Sequence, residues 1–460
     1  MEAVFKYLAR EQTRFVRELE EYLRFPSVSA QQAHRRDMHA CSHWLAQHCR
    51  QLGLASEVVA TPGHPVVIAR TWRGRRPAKP HFLVYGHYDV QPPDPLELWD
   101  SPPFAPRRVG KYLYARGSSD NKGQHFAHLK AIEACRKTGT ELPCDLTFVI
   151  EGEEEVGSAN LAGFLEAHRA SLRCRAVVIS DTGIPDLAHP ALTYALRGIA
   201  ALEVEVRGPS RDLHSGIYGG SVENPALALC AMLAALRDRR GRVAIPGFYD
   251  DVVPLTPHER RELRKIPHDD RRYARFLGVP ALSGEAGFTA TERRTARPTL
   301  EINGLTSGYQ GEGSKTIVPA WARAKLTLRL VPNQKPQRVA RLVTTQLRRL
   351  CPSTVRLRVT AGHGAEPYVV SPTGPLAQAA LRALHAGFQA SPILLREGGS
   401  IPIVSDFRRI LGVDSLLLGL ALPDANAHSP NESFHLDAFA AGMRTSARLW
   451  AELAPVASAR

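Results

Sequence analysis

Cysteine is scarce and unpatterned. The 460-residue chain has seven, at positions 41, 49, 135, 144, 174, 230 and 351, an odd number with no C-x-x-C pair. That excludes a disulfide-stapled scaffold and predicts thiols acting as small core residues in a reducing, cytoplasmic compartment. Long hydrophobic runs are missing as well. The run 416–422 follows Asp414 and stops at Pro423, and the longer run 226–236 stops at Arg237, both far short of the roughly 20 residues a bilayer crossing needs. The N-terminal segment MEAVFKYLAREQTRFVRELEEYLRFPSVSA lacks the unbroken apolar stretch of a secretory signal. Instead Phe5, Leu8, Phe15, Leu19, Tyr22 and Leu23 recur at helical spacing, the pattern of an amphipathic helix ended near Pro26. The expectation is a soluble protein with no membrane partner.

Lysine is also rare: 10 of the 59 basic residues, the other 49 being arginine, against 45 acidic ones, for a net charge of +14. The arginines run along the whole chain without a clustered patch. The charge therefore reads as a coding bias and not as a nucleic-acid surface. What remains is ordinary for a globular protein, with 44% apolar and 23% charged residues, which excludes a mainly disordered chain. The length suggests about three domains, or two large ones.

Up to residue 180, apolar runs alternate with helical patterns. Strands are predicted at 65–69, 82–85, 146–150 and 176–179, and helices at 121–135 and 160–170. This alternation argues for an α/β layer with a mostly parallel sheet, whose ligands gather at the carboxyl ends of the strands. From about residue 197 the pattern changes. Alternating strands at 200–206, 300–305, 324–331 and 355–359, with helices at 225–236 and 338–350, spell a smaller α+β module of the split βαβ type. The stretch 241–298, rich in arginine and proline, reads as an irregular insertion. A long helix starts near residue 375. The expectation is a discontinuous domain, 1–196 and 375–460, interrupted by an inserted domain, 197–374.

Polar clusters sit where the strands end. In YGHYDVQP, His87 follows a buried run and Asp89 is placed to accept its second ring N–H, as partners of metal-bound histidines do. Alone, the same residues equally suit a polar strand end. Asp120 in ARGSSDNKG precedes a helix; it suits a cation, or simply a turn. In EGEEEVGS, Glu151, Glu153, Glu154 and Glu155 crowd at the end of a hydrophobic strand. Crowded carboxylates repel one another, favour a bound cation and leave one group free to act as a base. Asp181 in ISDTG and His428 in NAHSPNE complete the set. Two imidazoles and several carboxylates without cysteine suit zinc, cobalt or manganese in a hydrolytic site, with one carboxylate shared between two ions.

The segments GHYDVQP, SSDNKG, EGEEEVGS, SDTG, DLHSG, GSKTIVP, RLVPN, REGGSIP and AHSPNE occur in this order and span most of the chain. Together they resemble the co-catalytic zinc peptidases that include carnosinase, glutamate carboxypeptidase, aminoacylase and the desuccinylases. DLHSG, SKTIVP and REGGSIP point to the cytosolic non-specific dipeptidase and carnosinase branch. The resemblance implies two zinc ions, with manganese or cobalt as alternatives. His87 and Asp181 would hold one, Glu155 and His428 the other, and Asp120 would bridge them ahead of a cis peptide. It makes Glu154 the general base for a zinc-bridged hydroxide and Asp89 the partner of His87. His214 of DLHSG would stabilise the oxyanion from the inserted lid and dimerisation domain of the partner subunit in a homodimer. Arg329 would bind the C-terminal carboxylate of the substrate, with Thr316, Gly399 and Ser400 beside it. The implied activity is hydrolysis of the amide bond of dipeptides or short peptides. The alternative is removal of an acyl or carbamoyl group from an N-blocked amino acid.

Overall fold

The structure is a computed structural model and describes residues 1–74, 76–399 and 401–458. Its chain divides into two compact units, one built from residues 1–194, 370–395 and 403–460 and the other from 195–369 and 396–402.

The larger unit is organised around a sheet whose centre is four parallel strands, in the spatial order Asp145–Glu151, His81–His87, Val177–Ile179, Ser415–Leu418. Antiparallel strands flank them: Val66–Arg70 and then Ala55–Val59 on one side, Ala191–Leu196 on the other. Each central strand is buried on both faces, which is why it reads as a continuous Val/Ile/Leu run and not as an alternation. The helices Glu2–Leu23, Arg35–Gln51, Lys122–Lys137 and Leu436–Ser458 pack into the same core. Among the described residues no helix is long and apolar enough to cross a membrane.

The parallel register sets the functional end of the sheet. His87 pairs with Glu151, so the loop carrying Glu154 and Glu155 leaves the sheet beside His87. Tyr85 pairs with Ile179, two residues before Asp181. Gly86 is required in this arrangement, because a Cβ there would lie 2.7 Å from the Cβ of His125 and 2.9 Å from Oδ1 of Asn121. The helix that begins at Lys122 can thus press against the strand end.

The main sheet of the smaller unit and the two helices packed on it follow the order strand, helix, strand, strand, helix, strand. This antiparallel sheet runs Thr299–Ser307, Trp321–Leu330, Gly198–Arg207, Arg356–Ala365, with Pro225–Ala234 and Pro336–Leu350 packed on its apolar side. The alternation of buried and exposed residues along Trp321–Leu330 follows the half-buried pattern of its sequence.

Two expectations need correction. The stretch 241–298 is not irregular throughout: it contains the helices Pro257–Arg264, Asp270–Phe276 and Ala290–Ala296. Two of these open with reciprocal capping boxes, Thr256 with Glu259 and Thr289 with Glu292. Not all thiols are core residues: Cys41, Cys49, Cys135 and Cys144 are buried, but Cys174 and Cys351 are partly accessible and Cys230 is exposed.

Candidate active site

The carboxyl ends of the parallel strands, and the loops beyond them, collect the polar residues of the larger unit. Two groups form, each with donor atoms within 4.8 Å of one another: His87, Asp120 and Asp181, and Asp120, Glu155 and His428. Asp120 belongs to both. Its Oδ1 lies 3.2 Å from Nε2 of His87, and its Oδ2 lies 2.9 Å from Nε2 of His428. His428 Nε2 is also 3.3 Å from Glu155 Oε2, and His87 Nε2 is 3.7 Å from Asp181 Oδ1. The peptide after Asp120 is cis, as the resemblance implies.

The donors are held by partners of their own. His87 Nδ1 donates to the backbone oxygen of Asp89 at 3.1 Å, and the Asp89 carboxylate stands beside it at 3.3 Å. The backbone carbonyl therefore shares the orienting role expected of the side chain. Asp89 Oδ2 accepts the backbone N–H of Glu155 at 3.1 Å, which ties the two segments together. Residues not singled out in the sequence complete this shell. Asn121 donates to Asp181 Oδ1 at 2.7 Å, and Gln91 donates to Glu155 Oε2 at 2.8 Å. Glu432 is buried against the segment that ends in Asp120. The signal available was adjacency: each lies within a few residues of a candidate ligand and is a polar type that burial obliges to find partners.

Electrostatics give the cluster its character. Burial pushes the Glu154 carboxyl well above its usual range, and the carboxylates of Asp181, Glu155 and Asp120 add to this against the pull of His87. Burial and Asp120 raise Glu155 in the same way. Burial also raises Asp181. Asp120 is held low despite its burial, because the imidazoles of His428 and His87 face its two oxygens. In return, the hydrogen bonds to Asp120 and Glu155 raise His428 to about 10.

A divalent pair fits this donor set. Nε2 of His87 is fully buried and has no hydrogen-bond partner, although two carboxylates face it. A lone pair aimed at carboxylates from inside a buried site is the arrangement a cation would satisfy. The ligands are nitrogen and oxygen only, as hard or borderline divalent ions prefer.

The remaining candidates lie in the smaller unit. His214 ends the short strand Leu213–His214, which pairs with Ile317–Val318. The backbone N–H of Ser215 donates to Thr316 O at 3.0 Å, so His214 and Thr316 are neighbours. His214 is exposed, and its Nδ1 accepts the backbone N–H of Gly216 at 3.0 Å. Arg329 is half-buried on Trp321–Leu330, opposite Ile199. A second guanidinium, Arg197, stands near it; burial and the charge of Arg329 lower its pKa to about 10. Arg197 Nε donates to Gly398 O at 2.9 Å, next to Gly399. Ser400 lies outside the described residues.

Comparison with known proteins matches residues 83–452 to peptidase family M20/M25/M40. A Cys-Gly metallodipeptidase of Candida albicans is 32% identical, over 97% of this chain and 96% of its own. The Beta-Ala-His dipeptidase of Homo sapiens is 30% identical, over 99% of this chain and 93% of its own. The crystal structure of human carnosine dipeptidase 1 superposes with a TM-score of 0.85 at 31% identity, covering 99% of this chain and 98% of that one. Similarity of that extent, across the segments that carry both donor groups, means that the chain belongs to peptidase family M20/M25/M40.

Proposed function

We propose that this protein is a metal-dependent dipeptidase that hydrolyses the amide bond of dipeptides or short peptides with a free C-terminal carboxylate. The observation that carries the reading is Asp120, shared by two three-residue donor groups. The relatives are a Cys-Gly metallodipeptidase and a Beta-Ala-His dipeptidase, and both names describe cleavage of dipeptides.

In this reading His87 and Asp181 hold one cation, Glu155 and His428 the other, and Asp120 lies between them. Zinc is the first choice, with manganese and cobalt accepted by the same donors. When bound, the pair supplies Lewis-acid polarisation of the scissile carbonyl and acidifies the attacking water. The chain's own residues do the rest. Glu154 takes the proton of the water and passes it to the leaving amine; the elevated proton affinity that burial gives it suits both halves of the task. Asp89 keeps His87 in the tautomer that leaves Nε2 free to bind a metal. Arg329 takes the substrate carboxylate, Thr316, Gly399 and Ser400 are assigned as further carboxylate-side contacts, and Arg197 steadies the turn at Gly398. His214 donates to the oxyanion of the tetrahedral intermediate from the partner subunit of a homodimer. The compartment is the reducing cytoplasm, where free thiols persist.

The test is substrate class. Metal-loaded protein is expected to release two free amino acids from an unblocked dipeptide. Turnover confined to N-acyl or N-carbamoyl amino acids would replace this reading with the deacylase.

A further inference from the structure

Glu432 is completely buried, and both of its carboxylate oxygens are saturated by one short segment. Oε2 accepts from Arg116 Nη1 at 2.9 Å and from the Gly117 N–H at 2.8 Å. Oε1 accepts from the Ser119 N–H at 2.9 Å, from Ser119 Oγ at 3.1 Å and from the Asp120 N–H at 3.0 Å. Its backbone oxygen takes the N–H of Ala115 at 3.0 Å. Three main-chain N–H groups converging on one anion form a concave nest. Gly117 makes it possible with φ of +83°, where a Cβ would also lie 2.6 Å from Val90.

Glu432 is itself four residues from His428, on a loop closed by the N–H of Ser433 on Ala425 O and by Asn426 on the backbone oxygen of Asn431. Within that loop His428 has φ of +63°, a conformation that non-glycine residues adopt only when their surroundings impose it.

We infer that Glu432 is a positioning residue that joins the loop carrying His428 to the segment carrying Asp120 and so sets the spacing of the two ligands. It touches neither the substrate nor an ion. It acts through the backbone of Asp120, whose Oδ2 then meets His428 Nε2 at 2.9 Å. The inference rests on the two-cation reading of the site.

The experiment compares zinc binding by wild type, Glu432→Gln and Ser119→Ala in competition with a chromophoric chelator, alongside the melting temperature of each metal-free protein. In Glu432→Gln an amide NH2 replaces one acceptor and confronts main-chain donors. The expected result is a metal-free protein that still melts cooperatively but binds its weaker zinc about ten- to a hundredfold less tightly, the range for residues that orient metal ligands. Ser119→Ala keeps every main-chain donor and removes one bond, so a smaller loosening of the same zinc is expected; this variant decides the matter if Glu432→Gln does not fold. An unchanged binding isotherm in a folded Glu432→Gln, or in Ser119→Ala where the first is unfolded, would overturn the inference. Failure of the two-cation reading is distinct: it shows in the wild type, as fewer than two zinc ions per chain at saturation.

Discussion

Nε2 of His428 lies 2.9 Å from Oδ2 of Asp120, while the other oxygen of the same carboxylate faces Nε2 of His87 at 3.2 Å. One side chain therefore belongs to both donor groups, and substitutions at the three positions should be unequal. Asp120→Ala is expected to bind less than one metal ion per chain and to lose activity by at least a thousandfold, because neither group is complete without it. His428→Ala leaves His87, Asp120 and Asp181 intact and is expected to retain about one ion. Metal analysis after dialysis against buffered zinc checks both. Equal losses in the two variants would mean that Asp120 is not shared.

Glu154 stands beside these ligands without belonging to either donor group. Glu154→Gln is expected to keep both ions and to lower kcat about a hundred- to ten-thousandfold, the usual contribution of a positioned acid–base group. Loss of an ion in this variant would move Glu154 into the ligand set and leave the base unassigned.

The candidate ligands were legible in the sequence because each follows a strand or precedes a helix that its own apolar pattern announces. His87, Glu155 and Asp181 sit at the ends of runs buried on both faces, where polar residues have to be placed for a reason. The shell around them was not legible. Glu432 meets Arg116 across 316 positions of sequence, and no local period encodes such a pairing. The helices Pro257–Arg264 and Ala290–Ala296 were missed for a different cause. They are short, and of the first only Leu263 is buried, so no apolar stripe repeats. Their T-x-x-E starts are the available signal, and the surrounding arginines and prolines give the stretch a loop-like composition that masks it.

Arg329 is half-buried on a strand, and burial lowers its pKa. A guanidinium that pairs with a substrate carboxylate contributes roughly 1.5–3 kcal/mol. Arg329→Ala should thus raise KM for a dipeptide about ten- to a hundredfold, with a smaller change in kcat. A dipeptide amide, which lacks the carboxylate, should bind wild type and variant alike. Equal penalties on both substrates would assign Arg329 to the sheet and not to recognition.

His214 is exposed within its own unit, and its Nδ1 is engaged by Gly216. If it serves the active site of the partner subunit, two inactive variants should complement each other. Glu154→Ala retains a working His214, and His214→Ala retains a working Glu154. Mixed under conditions that let subunits exchange, half of the dimers are hybrids with one functional site each. The expected recovery is about a quarter of wild-type activity. No recovery, with exchange demonstrated by a tag on one variant, would place His214 in the site of its own chain or outside catalysis.

Acid stability provides a prediction independent of the metals. His48 is stacked on Trp44 at 5.0 Å, and its Nε2 accepts from the buried Lys130 ammonium at 2.8 Å. Arg14 adds positive charge, while Glu18 stays 4.0 Å away. Burial and these cations lower the pKa of His48 from 6.5 to about 3. The unfolded chain therefore takes up a proton between those values that the folded chain does not. The associated stability is complete above pH 6.5 and is lost as pH falls toward 3, reaching about 2 kcal/mol by pH 5. His48→Gln offers a carbonyl oxygen to Lys130 but has no proton to gain. Whatever its stability at pH 7.5, its melting temperature should fall less steeply than that of wild type between pH 7 and pH 4.5, measured on metal-free protein. Parallel slopes would show that His48 already takes up its proton in the folded state.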